Sequence, residues 1–103
     1  MSPSFTADLP DTFFATLRAI NERLAPDNAY FSDWLLTLMQ SESGITPSAG
    51  NHAGAAYYGI NQLGASVFAP LTPAQFTALS AAEQLPYVEK FYKGAPIGRI
   101  MNS

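Results

Sequence analysis

Glu42 stands where an apolar residue is due. Phe31, Leu35 and Leu38 recur at steps of four and three, and the next step of four lands on Glu42. A carboxylate therefore takes the position at which the core-facing side of a helix would carry another leucine. The helix closes just beyond, because Gly44 suits the left-handed turn that follows a helix. An anion in the last turn opposes the helix macrodipole. Partial burial would act in the same direction, toward a carboxyl that keeps its proton near neutrality, which is the property of a general acid. On periodicity alone, a helix-end glutamate reaching into solvent is an equal reading.

Glycoside hydrolysis ordinarily needs a second carboxyl, about 5–5.5 Å away for retention or about 6.5–9.5 Å for inversion. Asp33 lies nine positions before Glu42, half a turn round the same helix. The forty residues from Ser43 to Ala82 contain no Asp, Glu, Lys or Arg. Glu83 and Glu89 fall on a helix whose polar face is expected to meet water, and Asp8, Asp11, Glu22 and Asp27 read as caps and surface charges. A lone acid suits a reaction in which the substrate supplies the second group, such as the acetamido oxygen of an amino sugar. The same glutamate can protonate the leaving oxygen and then accept a proton from an attacking hydroxyl. Asn51, Tyr57, Tyr58, Asn61 and Gln62, all in the uncharged segment, offer the donors, acceptors and ring faces a carbohydrate would meet. Each also has a plain structural reading as core filler, turn former or surface amide. His52 is the only histidine and reads as a loop residue, so a multi-histidine zinc site cannot be assembled, and no metal or other cofactor is expected.

The elements that must position these groups are legible from spacing. Phe13, Leu17, Ile20 and Leu24 mark a helix over 11–24, stopped by Pro26. The helix bearing Glu42 begins near Asp27 or Asn28, either of which can cap it. A short helix over about 59–67 would carry Ile60, Leu63 and Val67. Thr72-Pro73-Ala74-Gln75 and Ser80-Ala81-Ala82-Glu83 are capping boxes, the first with Leu71 and Phe76 as its staple. The last helix carries Leu85, Val88 and Tyr92, with Pro86 kinking it or marking its start, and the tail after Gly94 shows no element. No alternating strand-length segment occurs, so the fold class is all-α with about five helices and no substantial sheet. Residues 1–10 read as a flexible N-terminal segment and 11–103 as a single domain.

Composition narrows the function classes. With 48% apolar and 13% aromatic residues the chain can build a core, and the absence of cysteine removes disulfides and thiol nucleophiles. A net charge of −3, with five scattered basic residues, argues against nucleic-acid binding, which needs a clustered cationic face. The uncharged middle contains Pro47, Pro70 and Pro73 among many polar residues, so membrane insertion is not expected. Met1 to Asp8 carries no basic residue and no long apolar run, so no signal peptide is expected.

Gln40-Ser41-Glu42-Ser43-Gly44, a spacer with Ala49, Asn51 and Ala56, and then Gly59-Ile60-Asn61-Gln62-Leu63 resemble the soluble-type lytic transglycosylase domain of the lysozyme-like superfamily. The run from Glu83 to Tyr92 is similar to the branch found in bacteriophage particles and tail proteins. The resemblance implies a small lysozyme-like domain with Glu42 as the acid/base and with Ser43 and Gln62 lining the glycan cleft. It further implies cleavage of peptidoglycan between N-acetylmuramic acid and N-acetylglucosamine, with a 1,6-anhydro product and no metal. Two positions depart from the family's pattern. Ile60-Asn61 places an amide in a normally apolar slot, and the tyrosine that supports the glutamate has Tyr92 as its nearest counterpart. Relatives continue beyond the point corresponding to Ser103, so a minimal cleft, or one completed by a partner segment or other virion proteins, is expected. Location follows from the resemblance: a phage virion, or the bacterial cytoplasm with action on the wall. Two other readings stay open. One is a muramidase using the same Glu42 with water as nucleophile; the other is a non-catalytic glycan-binding or virion structural module.

Overall fold

Four-residue spacing of large apolar side chains on three helices decides the architecture. In the computed structural model, which describes residues 9–50 and 54–101, these are α1 (Asp11–Leu24), α2 (Phe31–Ser43) and α5 (Ala81–Tyr92). Shorter helices α3 (Ala65–Phe68) and α4 (Pro73–Thr77) lie between α2 and α5, and α6 (Ile97–Met101) follows. Among the described residues the only ladder-like pairing is an isolated antiparallel bridge between Tyr58 and Leu63, so the chain is all-α. No helix among them is long and apolar enough to cross a membrane. Residues 1–8 of the expected N-terminal segment lie outside the described residues; Leu9 packs against the core and Pro10 precedes α1.

α1 packs on α5 and α2 through Phe13, Leu17 and Ile20. Phe31, Leu35 and Met39 of α2 and Leu85 and Val88 of α5 complete this layer, all fully enclosed. Burial of each such side chain contributes about 1.5–3 kcal/mol. Phe68 and Phe76 stack nearly parallel at 4.1 Å, joining α3 to α4. On the outer surface Arg23 of α1 donates to both carboxylate oxygens of Glu89 of α5, at 2.7 and 2.8 Å. The hydrogen bond from Arg23 holds the Glu89 carboxyl below its usual range.

Four details differ from the sequence reading. The core stripe of α2 runs through Met39, and Leu38 is only partly buried beside it. Residues 59–64 form a tight loop, and helix resumes only at Ala65, because Gly59 and Gln62 both take left-handed backbone angles that no helix accepts. The tail after Gly94 does carry an element, α6, whose Ile97 is buried. Pro86 sits inside α5, which removes the alternative that it marks the start; the helix begins at the Ser80–Glu83 capping box.

The start of α2 is capped from elsewhere in the chain. Its own cap residue, Tyr30, offers no side-chain hydrogen bond. Instead Asn21 of α1, 7% exposed, accepts from Ser32 N–H at 2.7 Å and donates to the Ala25 and Asn28 carbonyls. Asn28, one of the two expected caps, uses its side-chain oxygen to accept from Tyr30 N–H, one residue short of the helix. Asn21→Ala is therefore expected to cost about 1–3 kcal/mol by leaving buried groups unpaired, and Asn28→Ala distinctly less. Urea denaturation of the two variants side by side checks this order.

Candidate functional site

The C-terminal turns of α2, the 58–64 loop and the end of α5 enclose a groove of about 350 Å³. α2 supplies Leu38 and Glu42, one helical turn apart on the same side. The loop supplies Asn61, Gln62, Leu63 and Gly64, with Tyr57 just before it, and α5 supplies Phe91 and Tyr92. Glu42 is the one carboxylate among these lining residues.

Each wall is set by local chemistry. α2 stops because Gly44 turns left-handed, its N–H reaching the Gln40 carbonyl at 2.9 Å while Ile45 N–H reaches that of Met39 at 3.3 Å. This crossed pair closes the helix and sends buried Ile45 back toward the core. The loop is a short reversal: Tyr58 and Leu63 exchange backbone hydrogen bonds at 2.9 and 2.8 Å, and Gln62 N–H bonds the Gly59 carbonyl. Gln62 holds a left-handed φ of 50°, and its side-chain amide donates to the Gly59 carbonyl at 3.0 Å.

Gln84 of α5 fastens the loop. Fully buried, it accepts from Ile60 N–H at 2.9 Å and donates to the carbonyls of Pro47 at 2.9 Å and Phe76 at 3.0 Å, with that of Leu79 at 3.3 Å sharing a proton. Gly59 makes room for it: a Cβ there would lie 2.5 Å from both Gln84 Oε1 and the Phe76 ring. Gly50 is constrained in the same way, since a Cβ would collide with the Tyr57 carbonyl. Ser43, directly after Glu42, donates to the Ile60 carbonyl at 2.7 Å, and its oxygen also lies 3.2 Å from Thr46 N–H, which donates to it.

The residues singled out in the sequence are thus divided. Glu42, Asn61, Gln62 and Tyr92 share the groove. Ser43 and Tyr58 do not line it: Ser43 ties α2 to the loop, and Tyr58 donates to the Ala55 carbonyl at 2.7 Å with its ring edge on Phe68. Of the two tyrosines the sequence offered, Tyr57, 61% exposed, is the one that lines the groove. Asn51 lies outside the described residues. Glu42 is exposed, which corrects the expected half-burial. The core stripe of α2 runs through 31, 35 and 39 and would continue to Ser43, leaving Glu42 beside it on the rim.

Tyr92 is 6% exposed and meets the rings of Phe31 and Trp34 edge-on, at 5.9 and 6.0 Å. Burial raises its phenol above the ordinary value; a hydrogen bond with the Asn61 side chain opposes the shift, and the Glu42 charge adds to it. The Glu42 charge is thus felt at the Tyr92 phenol across the groove. Asn61 is 7% exposed, and its Oδ1 has no hydrogen-bond partner. Sequence reasoning missed Phe91, Leu38 and Gln84. The signal for Gln84 was available, since it interrupts an otherwise apolar face formed by Ala81, Leu85, Val88 and Tyr92.

Comparison with protein-family models, with curated proteins and with solved structures returns no match.

Two outcomes check this description. Gln84→Leu orphans Ile60 N–H and removes a donor from the Pro47, Phe76 and Leu79 carbonyls, so it is expected to cost about 3 kcal/mol, read as a lower urea midpoint. Tyr92 binds its proton more tightly folded than unfolded, so its contribution is complete below about pH 10 and is lost as pH rises through the raised value. Tyr92→Phe is expected to flatten the loss of stability in alkali and to remove a late tyrosinate absorbance step.

Proposed function

We propose that the chain is a peptidoglycan lytic transglycosylase acting through Glu42. The observation that carries this reading is a groove with a single carboxylate, set among amide side chains and the rings of Tyr57, Phe91 and Tyr92. Sugar C–H faces pack on rings, and hydroxyls and acetamides need neutral donors and acceptors. Glu42 gives its proton to the glycosidic oxygen as the bond between N-acetylmuramic acid and N-acetylglucosamine breaks. The acetamido oxygen of the muramic acid supports the oxocarbenium-like carbon in place of a second carboxylate. The muramoyl C6 hydroxyl then attacks that carbon and returns its proton to Glu42, closing the 1,6-anhydro ring without consuming water. A glycan covering the rim would exclude water from the carboxylate during this sequence. Under this reading the partner is a peptidoglycan strand, and a phage particle or the bacterial cytoplasm is the place of supply.

The exposure of Glu42 favours one other reading, a module that binds glycan without cutting it. A muramidase would use the same groove with water as nucleophile.

Digestion of purified peptidoglycan separates the three. Wild type is expected to release anhydro-muropeptides, and Glu42→Gln to lower their yield by about 100-fold or more. Products heavier by one water identify the muramidase. Wall binding by both proteins with no soluble product identifies the binding module.

A further inference from the structure

Among the described residues three large apolar side chains stand open to solvent: Tyr30, Tyr57 and Phe91. Tyr57 and Phe91 line the groove. Tyr30, 73% exposed, lies outside it but on the same side of α2. Tyr30, Trp34, Leu38 and Glu42 follow one another at steps of four, which keeps them in one row along a helix with a slow drift. Leu38 and Glu42 belong to the groove lining. Trp34, partly buried, bridges the gap: its ring stacks on Phe31 at 5.9 Å and meets the groove residue Tyr92 edge-on at 6.0 Å. The row thus runs from the groove to the start of α2, twelve residues from Glu42 or about 18 Å along the helix axis. Between Asp33 and Glu42 the helix carries no charged residue, and exposed Thr37 and Ser41 set hydroxyls beside the row. Single exposed apolar residues are ordinary, but an aligned set continuous with a cleft marks a binding surface. Rings flanked by neutral hydroxyls suit a sugar polymer, whereas a charged partner would find nothing to pair with along this stretch.

We infer that the outer side of α2, from Leu38 past Trp34 to Tyr30, is a second binding platform on which a polysaccharide strand leaving the groove continues, with the Tyr30 ring as its far contact. This inference rests on the groove holding a glycan, and adds the route by which a long strand leaves it. Chain length is then what the platform selects: a short glycan fills the groove alone, and a longer one also covers Tyr30.

Titration calorimetry with the trimer and the hexamer of β-1,4-linked N-acetylglucosamine tests it, on the Glu42→Gln background so that no bond is cut. The hexamer is expected to bind about tenfold more tightly than the trimer. It is also expected to shield Trp34, the only tryptophan of the chain, from acrylamide quenching more than the trimer does. Adding Tyr30→Ala, a change at an exposed side chain, is expected to bring the hexamer to the affinity of the trimer and to leave the trimer unchanged. Adding Tyr30→Phe instead is expected to keep the gain, because the ring face makes the contact. Equal affinity of the two oligomers, or a gain that survives Tyr30→Ala, overturns the inference and leaves the glycan reading standing. A loss shared equally by trimer and hexamer also overturns it, since Tyr30 would then act on the groove itself. Binding of neither oligomer overturns both. Self-association of the free chain that Tyr30→Ala abolishes, seen by sedimentation, assigns the row to a second copy and overturns the platform.

Discussion

The groove depends on one uncharged side chain. Gln84 enters from the second turn of α5 and gathers backbone groups of Pro47, Ile60 and Phe76 around its amide. These belong to the loop after α2, the 58–64 reversal and α4, segments too short to fix one another. An amide suits the task because it donates and accepts at once and pays no ionic desolvation when buried. The cost falls on sequence freedom nearby: Gly59 must lack a Cβ for Gln84 and Phe76 to approach.

Around that anchor, adjacent residues divide their labour. Glu42 and Ser43 are neighbours at the end of α2, yet one faces the groove and the other fastens the helix to the Ile60 carbonyl. Tyr57 and Tyr58 divide in the same way, the first open to solvent in the groove and the second turned to Phe68. The pattern follows from geometry, since successive residues of an extended segment point to opposite sides and those of a helix differ by 100°. Asn21 serves the other end of α2, so both ends of the helix carrying Glu42 are pinned by side chains outside the usual capping positions.

The sequence was readable wherever one local rule decided the outcome. The bounds of α1, the Gly44 terminus of α2 and both capping boxes follow from apolar spacing and cap chemistry, and all appear in the structure. It misled where a long-range partner prevailed. Asn28 has the cap chemistry, but Asn21 reaches Ser32 first. The apolar positions Ile60, Leu63 and Val67 mimic a helix, but Ile60 donates to Gln84 and accepts from Ser43, and these bonds hold a left-handed loop across half of it. Within the candidate site, Glu42 stood out as a charge breaking an apolar pattern. Its rim position did not, because Leu38 and Met39 are both apolar and only packing tells which one faces the core.

Among the described residues, none of the groups that hold the groove walls to one another titrates near neutrality. Gln84, Ser43, the Gly59 backbone and the Tyr58–Leu63 pairing are neutral, and the Arg23–Glu89 pair joins α1 to α5 outside the groove lining. The frame is therefore electrically silent from mildly acid to neutral solution, and added electrolyte has little in it to screen. Among the described residues, then, the hydrogen bonds that shape the cleft are insensitive to acidity and salt, and the one charge on its lining is that of Glu42.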